Sequence, residues 1–297
     1  MTASDYLDLI IKSLLLAGIY AAMAVGMTVI YGVMKIVNLA HAGFLMMGAY
    51  FAFVLFNRFH IDPVLGAILA LPAFFLFGMA MHWLLVRWLP KSDTPTLSSL
   101  LLMFGVWLVL QNLGYMIFGS EDSSILTPRT LASVQLGDIS IPLVSLIVFI
   151  AAVVSLVLLQ IIFNRSWFGR SMRSLIQNPY AAKIVGVDDE RTARLTFGLG
   201  TAFAGFAGAL LAMLYSFNAD FGRPFLLRSF VIIVLGGLES VSGVAIGALV
   251  LALLETFSVQ VLPASYQPAI SFALLVVVLI IMPKGIAGLL QRKLKVT

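Results

Sequence analysis

Apolar residues run through this chain in blocks about one membrane thickness long, separated by short stretches of charge, Pro or Asn. The blocks fall near 7–33, 39–56, 64–88, 97–118, 141–163, 195–217, 225–238, 243–262 and 267–282. About 20 apolar residues at 1.5 Å rise span the roughly 30 Å hydrocarbon core of a bilayer. The pattern therefore predicts an all-α, polytopic transmembrane helix bundle of eight or nine membrane segments, forming a single transmembrane domain over 1–297. The seventh block is short and Gly-rich and reads as a half-helix or re-entrant segment, which is why the count is eight or nine. The first block carries Lys12 but exceeds the apolar core of a signal peptide, so it reads as a retained helix.

Two stretches interrupt the apolar pattern with Gly and polar side chains: Tyr31-Gly32-Val33-Met34-Lys35-Ile36-Val37-Asn38-Leu39-Ala40-His41-Ala42-Gly43, and Leu235-Gly236-Gly237-Leu238-Glu239-Ser240-Val241-Ser242-Gly243. The first block carries Gly18, Ala22 and Gly26, and the sixth Gly200, Ala204 and Gly208. Four-residue spacing puts small residues on one helical face, where backbones approach closely. An inverted internal repeat with two Gly-rich broken helices accounts for the correspondence, and in transporters paired breaks mark the pathway. The polar residues of the breaks, Asn38, His41, Gly43, Gly236, Gly237 and Ser240, are accordingly the pathway candidates, because unpaired amides and carbonyls at half-helix ends can receive a zwitterion.

Charge sets the orientation. Arg165, Arg170, Arg173, Lys183, Arg191 and Arg194 lie between the fifth and sixth blocks, and Lys284, Arg292, Lys293 and Lys295 follow the last. Both stretches are expected in the cytoplasm by the positive-inside rule. The 119–140 loop, with Glu121, Asp122 and Asp138 against Arg129, belongs on the other side. Counting from these anchors puts Arg87 and Lys91 inside and the N-terminus outside.

Composition then removes whole classes of function. The 297 residues are 61% hydrophobic and 10% charged, against about 25% charged in soluble proteins, and they leave no room for a separate soluble domain. The net charge of +5 is spread over short loops and makes no continuous nucleic-acid face. The chain has no Cys, hence no disulfide or thiolate site, and no Gly-Lys dipeptide, hence no P-loop lysine. His41, His60 and His82 have no His or carboxylate partner at ligand spacing, so neither metal nor other cofactor is expected. With no catalytic pair at membrane depth, an enzyme is not expected either. Glu239 and Glu255 are the carboxylates nearest membrane depth, where a charge is expensive, and are read as gating or structural groups.

The 164–194 loop contains one more element. Asn178 can cap a short helix with Pro179 at its first position, Ala181, Ala182, Lys183 and Ile184 continue it, and Gly186 ends it. Tyr180, Ile184 and Val187, at spacings of four and three, form an apolar ridge suited to a groove on a soluble partner.

Four blocks in this order resemble the permease subunits of bacterial ABC importers for branched-chain amino acids. They are the 31–43 stretch continued to Gly48-Ala49-Tyr50; Asn178-Pro179-Tyr180-Ala181-Ala182 with Gly186-Val187-Asp188, similar to the family's cytoplasmic coupling loop; Val234-Leu235-Gly236-Gly237-Leu238-Glu239-Ser240; and Met282-Pro283-Lys284-Gly285-Ile286-Ala287-Gly288. Length and the Ala40-His41 block resemble the shorter of two permease types. Ala42, Glu239 and Val241-Ser242 stand where that pattern has Gly, Gly and Ile-Pro. The resemblance implies a bacterial inner-membrane subunit that pairs with a second, homologous permease, two cytoplasmic ATPase subunits and a periplasmic binding protein. It implies ATP hydrolysis by those partners, and coupling through Asn178, Pro179, Tyr180, Ala181, Ala182, Ile184 and Gly186. It fixes the machine better than the cargo, since similar permeases serve urea, short amides and other amino acids.

Overall fold

The computed structural model describes residues 3–89, 95–137, 139–281 and 285. Lys91, Asp138, the Met282-Pro283-Lys284 and Ile286-Ala287-Gly288 parts of the terminal motif, and the tail residues Arg292, Lys293 and Lys295 lie outside the described residues. The chain is a bundle of helices: α1 Ala3–Met34, α2 His41–Phe59, α3 Pro63–Leu84, α4 Pro95–Phe118, α5 Leu143–Arg165, α6 Trp167–Gln177, α7 Pro179–Ile184, α8 Asp189–Leu211, α9 Gly222–Gly236, α10 Val241–Ser258 and α11 Gln267–Ile281. A two-stranded antiparallel hairpin, β1 Ser133–Leu136 and β2 Ile139–Pro142, precedes α5.

The predicted segments fall on α1 to α5 and α8 to α11. Seven of these helices are long and apolar enough to cross a membrane, which makes this a multi-pass membrane protein. The remaining two, α9 and α11, are 15 residues each. The sixth segment needs correction: it runs from Asp189 to Leu211, not 195 to 217. Asp188 caps it by accepting from the Arg191 amide at 2.9 Å, and Asp189 and Glu190 favour its first turn, so two polar turns extend the apolar run backwards. The sequence reading also left α6 as loop. It is an amphipathic helix that buries Gly169, Met172 and Leu175, leaves Arg170 exposed and turns Arg173 back to the Phe163 carbonyl of α5.

Two helices form the centre. Of the apolar stretches of α1 and α8, 83% of residues are buried, against 22% in α4 and α5, which are peripheral. The spaced small residues explain why. Gly26 lies against the backbone of Gly200 and Gly200 against that of Gly26, so α1 and α8 cross backbone to backbone. Between helices in lipid, such close van der Waals packing replaces the hydrophobic drive available in water.

Around this crossing the packing repeats. α8 packs on α3 and α2 as α1 packs on α10 and α9; α2 touches α3 and α4 as α9 touches α10 and α11. In these contacts α1–α4 correspond to α8–α11. This correspondence changes the expected pairing of breaks. The 35–40 break after α1 has its counterpart in residues 212–221 after α8, whereas the 237–240 turn corresponds to the link between α2 and α3. Both of these latter links end in a side-chain cap: Asp62 accepts from the Val64 amide, and Ser240 from the Gly243 amide.

The bundle has two distinct ends. A cavity of about 270 Å³ is lined by Met34, Val86, Leu175, Pro179, Lys183 and Asp189, so the ends of α1 and α3, the α6–α7 segment and the start of α8 share one face. That face carries Lys35, Arg87, Arg165, Arg170, Arg173, Lys183, Arg191 and Arg194. On the opposite face Arg129 pairs with Asp62 at 2.9 Å, Asn218 donates to Asp122 at 2.8 Å, and the backbones of Ser123 and Phe217 pair.

Candidate functional site

The first break sits inside the bundle. α1 ends at Met34, Lys35 takes the left-handed conformation at φ 55°, and α2 starts at His41 with no side-chain cap. His41 is fully buried and its Nε2 lies 2.8 Å from the Met23 carbonyl oxygen, while Nδ1 has no partner. Asn38 is also fully buried, and neither its amide oxygen nor its nitrogen is hydrogen-bonded. Gly43 faces the Leu110 side chain of α4.

The second break is on the basic face. Gly236 ends α9 packed against the backbone of Gly243, Gly237 has φ 99°, and Ser240 caps α10. Gly236 and Gly237 are buried, Ser240 is half-buried and Glu239 is exposed. Glu239 joins the two breaks through a salt bridge with Lys35, and Gly32 approaches its backbone. The structure thus brings the breaks together at one contact, between Lys35 and Glu239. The six pathway candidates themselves remain in two groups.

Glu255 is nowhere near Glu239. It lies 14 residues into α10, about 21 Å further along the helix axis at 1.5 Å per residue. It is fully buried and saturated. Arg228 Nε donates to its two oxygens at 3.0 and 3.2 Å, and the Tyr20 and Ser271 hydroxyls donate at 2.5 Å each. Four helices, α1, α9, α10 and α11, supply this one cluster. Arg228 was missed in the sequence because it falls inside a short apolar run, where it reads as a boundary charge; its signal is a cation opposite a carboxylate at similar depth. Beside it, Arg223, Pro224, Leu227, Arg228, Ser271 and Phe272 line a cavity of about 200 Å³.

The α7 element is as expected in outline. Asn178 accepts from the Tyr180 and Ala181 amides at 3.0 and 3.1 Å, Pro179 opens the helix, and Gly186 follows it at φ 85°. Ala182 is buried beneath, and Tyr180 and Ile184 are 84% and 86% exposed. Val187 does not continue the ridge: the Gly186 turn directs its amide to the Ala182 carbonyl and half-buries it, and Val185 is exposed in its stead. Lys183 pairs with Asp189 at 2.5 Å, tying α7 to the first turn of α8. The hydrogen bond and charge of Asp189 raise the Lys183 pKa above its usual value. Among the described residues no group of three or more His or carboxylate side chains could hold a metal ion.

Known proteins resemble this chain over nearly its whole length. Residues 9–281 fit the family described as the permease component of the branched-chain amino acid transport system. The chain is 29% identical to the high-affinity branched-chain amino acid transport permease LivH of Salmonella typhimurium, over 95% of this chain and 96% of that one. It is 28% identical to the corresponding permease BraD of Pseudomonas aeruginosa with the same coverage. It is also 26% identical to a second permease, LivM of Escherichia coli, over 93% of this chain and 69% of that one. No solved structure matches. The chain belongs to the branched-chain amino acid transport permease family.

Proposed function

We propose that this chain is one permease subunit of an ATP-driven importer for branched-chain amino acids in the bacterial inner membrane. It pairs with a second, homologous permease, takes cargo from a periplasmic binding protein and is driven by two cytoplasmic ATPase subunits. One observation carries the coupling half of this reading. A capped helix, α7, stands on the basic face with two large apolar side chains uncovered, and is tied by an ion pair to a central helix of the bundle. The positive-inside rule makes that face cytoplasmic. The likeness to both LivH and LivM supports a pore built from two different chains.

Transport then proceeds by alternating access. ATPase closure displaces α7, and α8 carries the displacement into the bundle. Lys35 and Glu239 act as a latch between the breaks. Their side chains are 42% and 50% exposed, so the pair is worth no more than about 1 kcal/mol, suited to a contact that opens in every cycle. Asn38 and His41 supply polar pathway groups in another state of the cycle. Leaving their buried donors and acceptors unpaired costs about 1–3 kcal/mol each, which a rearrangement at the 35–40 break relieves.

Purification of the tagged chain from its native membrane in mild detergent, with mass spectrometry of stoichiometric partners, tests the assignment. A second permease and two ATPase subunits are expected. A lone chain that transports leucine in liposomes without ATP would refute it.

A further inference from the structure

We infer that the cavity between α9 and α11 binds the carboxylate of the cargo on Arg228, with Glu255 as the positioning residue behind it; this rests on the importer reading above. The first argument is the repeated packing. In the first half, α2, α3 and α8 meet where Gly48 and the Phe74 ring both lie against Gly205. Their counterparts α9, α10 and α1 meet where Arg228, Glu255 and Tyr20 converge. The contact among α2, α3 and α8 is thus apolar, and the one among α9, α10 and α1 holds an ion pair. Buried ion pairs contribute little stability beyond a well-packed apolar replacement, so stability alone does not account for this one. An ionisable cluster at membrane depth that stability alone does not account for points to a ligand or pathway.

The second argument is the donor inventory. A guanidinium has five N–H groups. Glu255 takes only Nε, and no hydrogen bond among the described residues takes up Nη1 or Nη2. Arg228 is held between the Tyr20 and Phe225 rings, its side chain is 13% exposed, and it lines the cavity. Such a guanidinium, fixed from behind with two donors forward, matches a carboxylate bidentately.

The third argument is shape. At about 200 Å³ the cavity falls below the roughly 300–1,000 Å³ of drug-sized sites and suits one small molecule. Leu227, Val231, Phe272 and Leu275 give it apolar walls for a branched side chain, and Arg223 stands one turn nearer the end of the bundle that is away from the ATPase face. A phospholipid headgroup offers similar anionic chemistry, so the test must separate the two.

The chain has no cysteine, so a single reporter is clean. Phe272→Cys is placed in the assembled complex, with partner subunits freed of reactive thiols, and its modification by a methanethiosulfonate reagent is followed in nanodiscs. L-leucine and 4-methylpentanoate, which share the carboxylate, are expected to slow labelling, and leucinamide is expected to have no effect. Arg228→Gln should raise the half-protecting leucine concentration about tenfold or more, as loss of a charge-assisted bidentate contact predicts, with Arg228→Lys intermediate. Glu255→Gln should raise KM for uptake with kcat nearly kept and shift the protection curve in parallel.

Equal protection by leucinamide overturns the inference without any substitution at Arg228. So does protection that depends on anionic lipid and ignores leucine, which reassigns the cavity to a headgroup. A complex that assembles and hydrolyses ATP but shows no protection sinks this inference alone, whereas failure to find ATPase partners sinks the importer reading.

Discussion

Truncating the α7 ridge separates coupling from folding. Tyr180 and Ile184 are 84% and 86% exposed, so neither contributes much to the bundle. Burying one large apolar side chain completely is worth about 1.5–3 kcal/mol; scaled by those exposures, docking both would supply roughly 2.5–5 kcal/mol. Their removal should weaken ATPase attachment by about 60- to 4,000-fold, at 1.4 kcal/mol per factor of ten. The cap survives, because Asn178 bonds backbone amides, and Ala favours helix. Tyr180→Ala with Ile184→Ala should therefore insert and melt like the parent, within about 0.5 kcal/mol. The assay is co-purification of the ATPase subunits, with binding-protein-stimulated ATP hydrolysis in proteoliposomes. Normal attachment and uptake in the double variant would refute the argument that α7 is the docking element.

The other substitutions probe separate contacts. Lys35→Ala or Glu239→Ala should change uptake by no more than about fivefold, the Boltzmann equivalent of about 1 kcal/mol, and leave the melting temperature alone; the exchange Lys35→Glu with Glu239→Lys should restore it, and a double-mutant cycle measures the coupling. Gly208→Val should prevent recovery of folded protein in detergent, because a Cβ there would enter the Leu45 backbone, whereas Gly105→Ala, with nothing within 4 Å, should be neutral or slightly stabilising by thermal melt. Asn178→Ala removes the one oxygen that accepts from two backbone amides and should cost about 1 kcal/mol of α7 order, lowering uptake while membrane insertion stays normal.

Most of the helix pattern was legible because a membrane helix must be both long and apolar, and the blocks from 7–33 to 267–282 meet that demand directly. Gly26 and Gly200 were legible as a close-packing signal, though not as each other's partners, since spacing along one helix says nothing about which helix lies across it. The pairing of the breaks went wrong for the same reason. Residues 212–221 carry no Gly-rich signature before Gly222, so the more polar 235–243 stretch looked like the better mate for 31–43. Burial was the other hidden quantity: nothing in the spacing shows that Gly236 lies against the Gly243 backbone. The Arg228–Glu255 pair spans 27 residues and two helices, and Tyr20 and Ser271 come from two more. No local pattern encodes such a meeting.

The packing also dictates where motion can enter. At Gly26 and Gly200 the backbones of α1 and α8 touch with no side chain between them, so a displacement of α8 has no soft layer in which to dissipate. On the importer reading proposed above, a push through Lys183 and Asp189 would move α8 with α1 as one body. The compliance must then lie where each central helix stops: at 35–40, where an uncapped α2 begins beside unpaired Asn38, and at 212–221, which leads into α9. Tilting the central pair would then work the first break against the Lys35–Glu239 pair and the second against the helix that bears Arg228. On the importer reading proposed above, one push on that face would reach both breaks and the helix that bears Arg228, and the weak exposed pair would yield before the buried one.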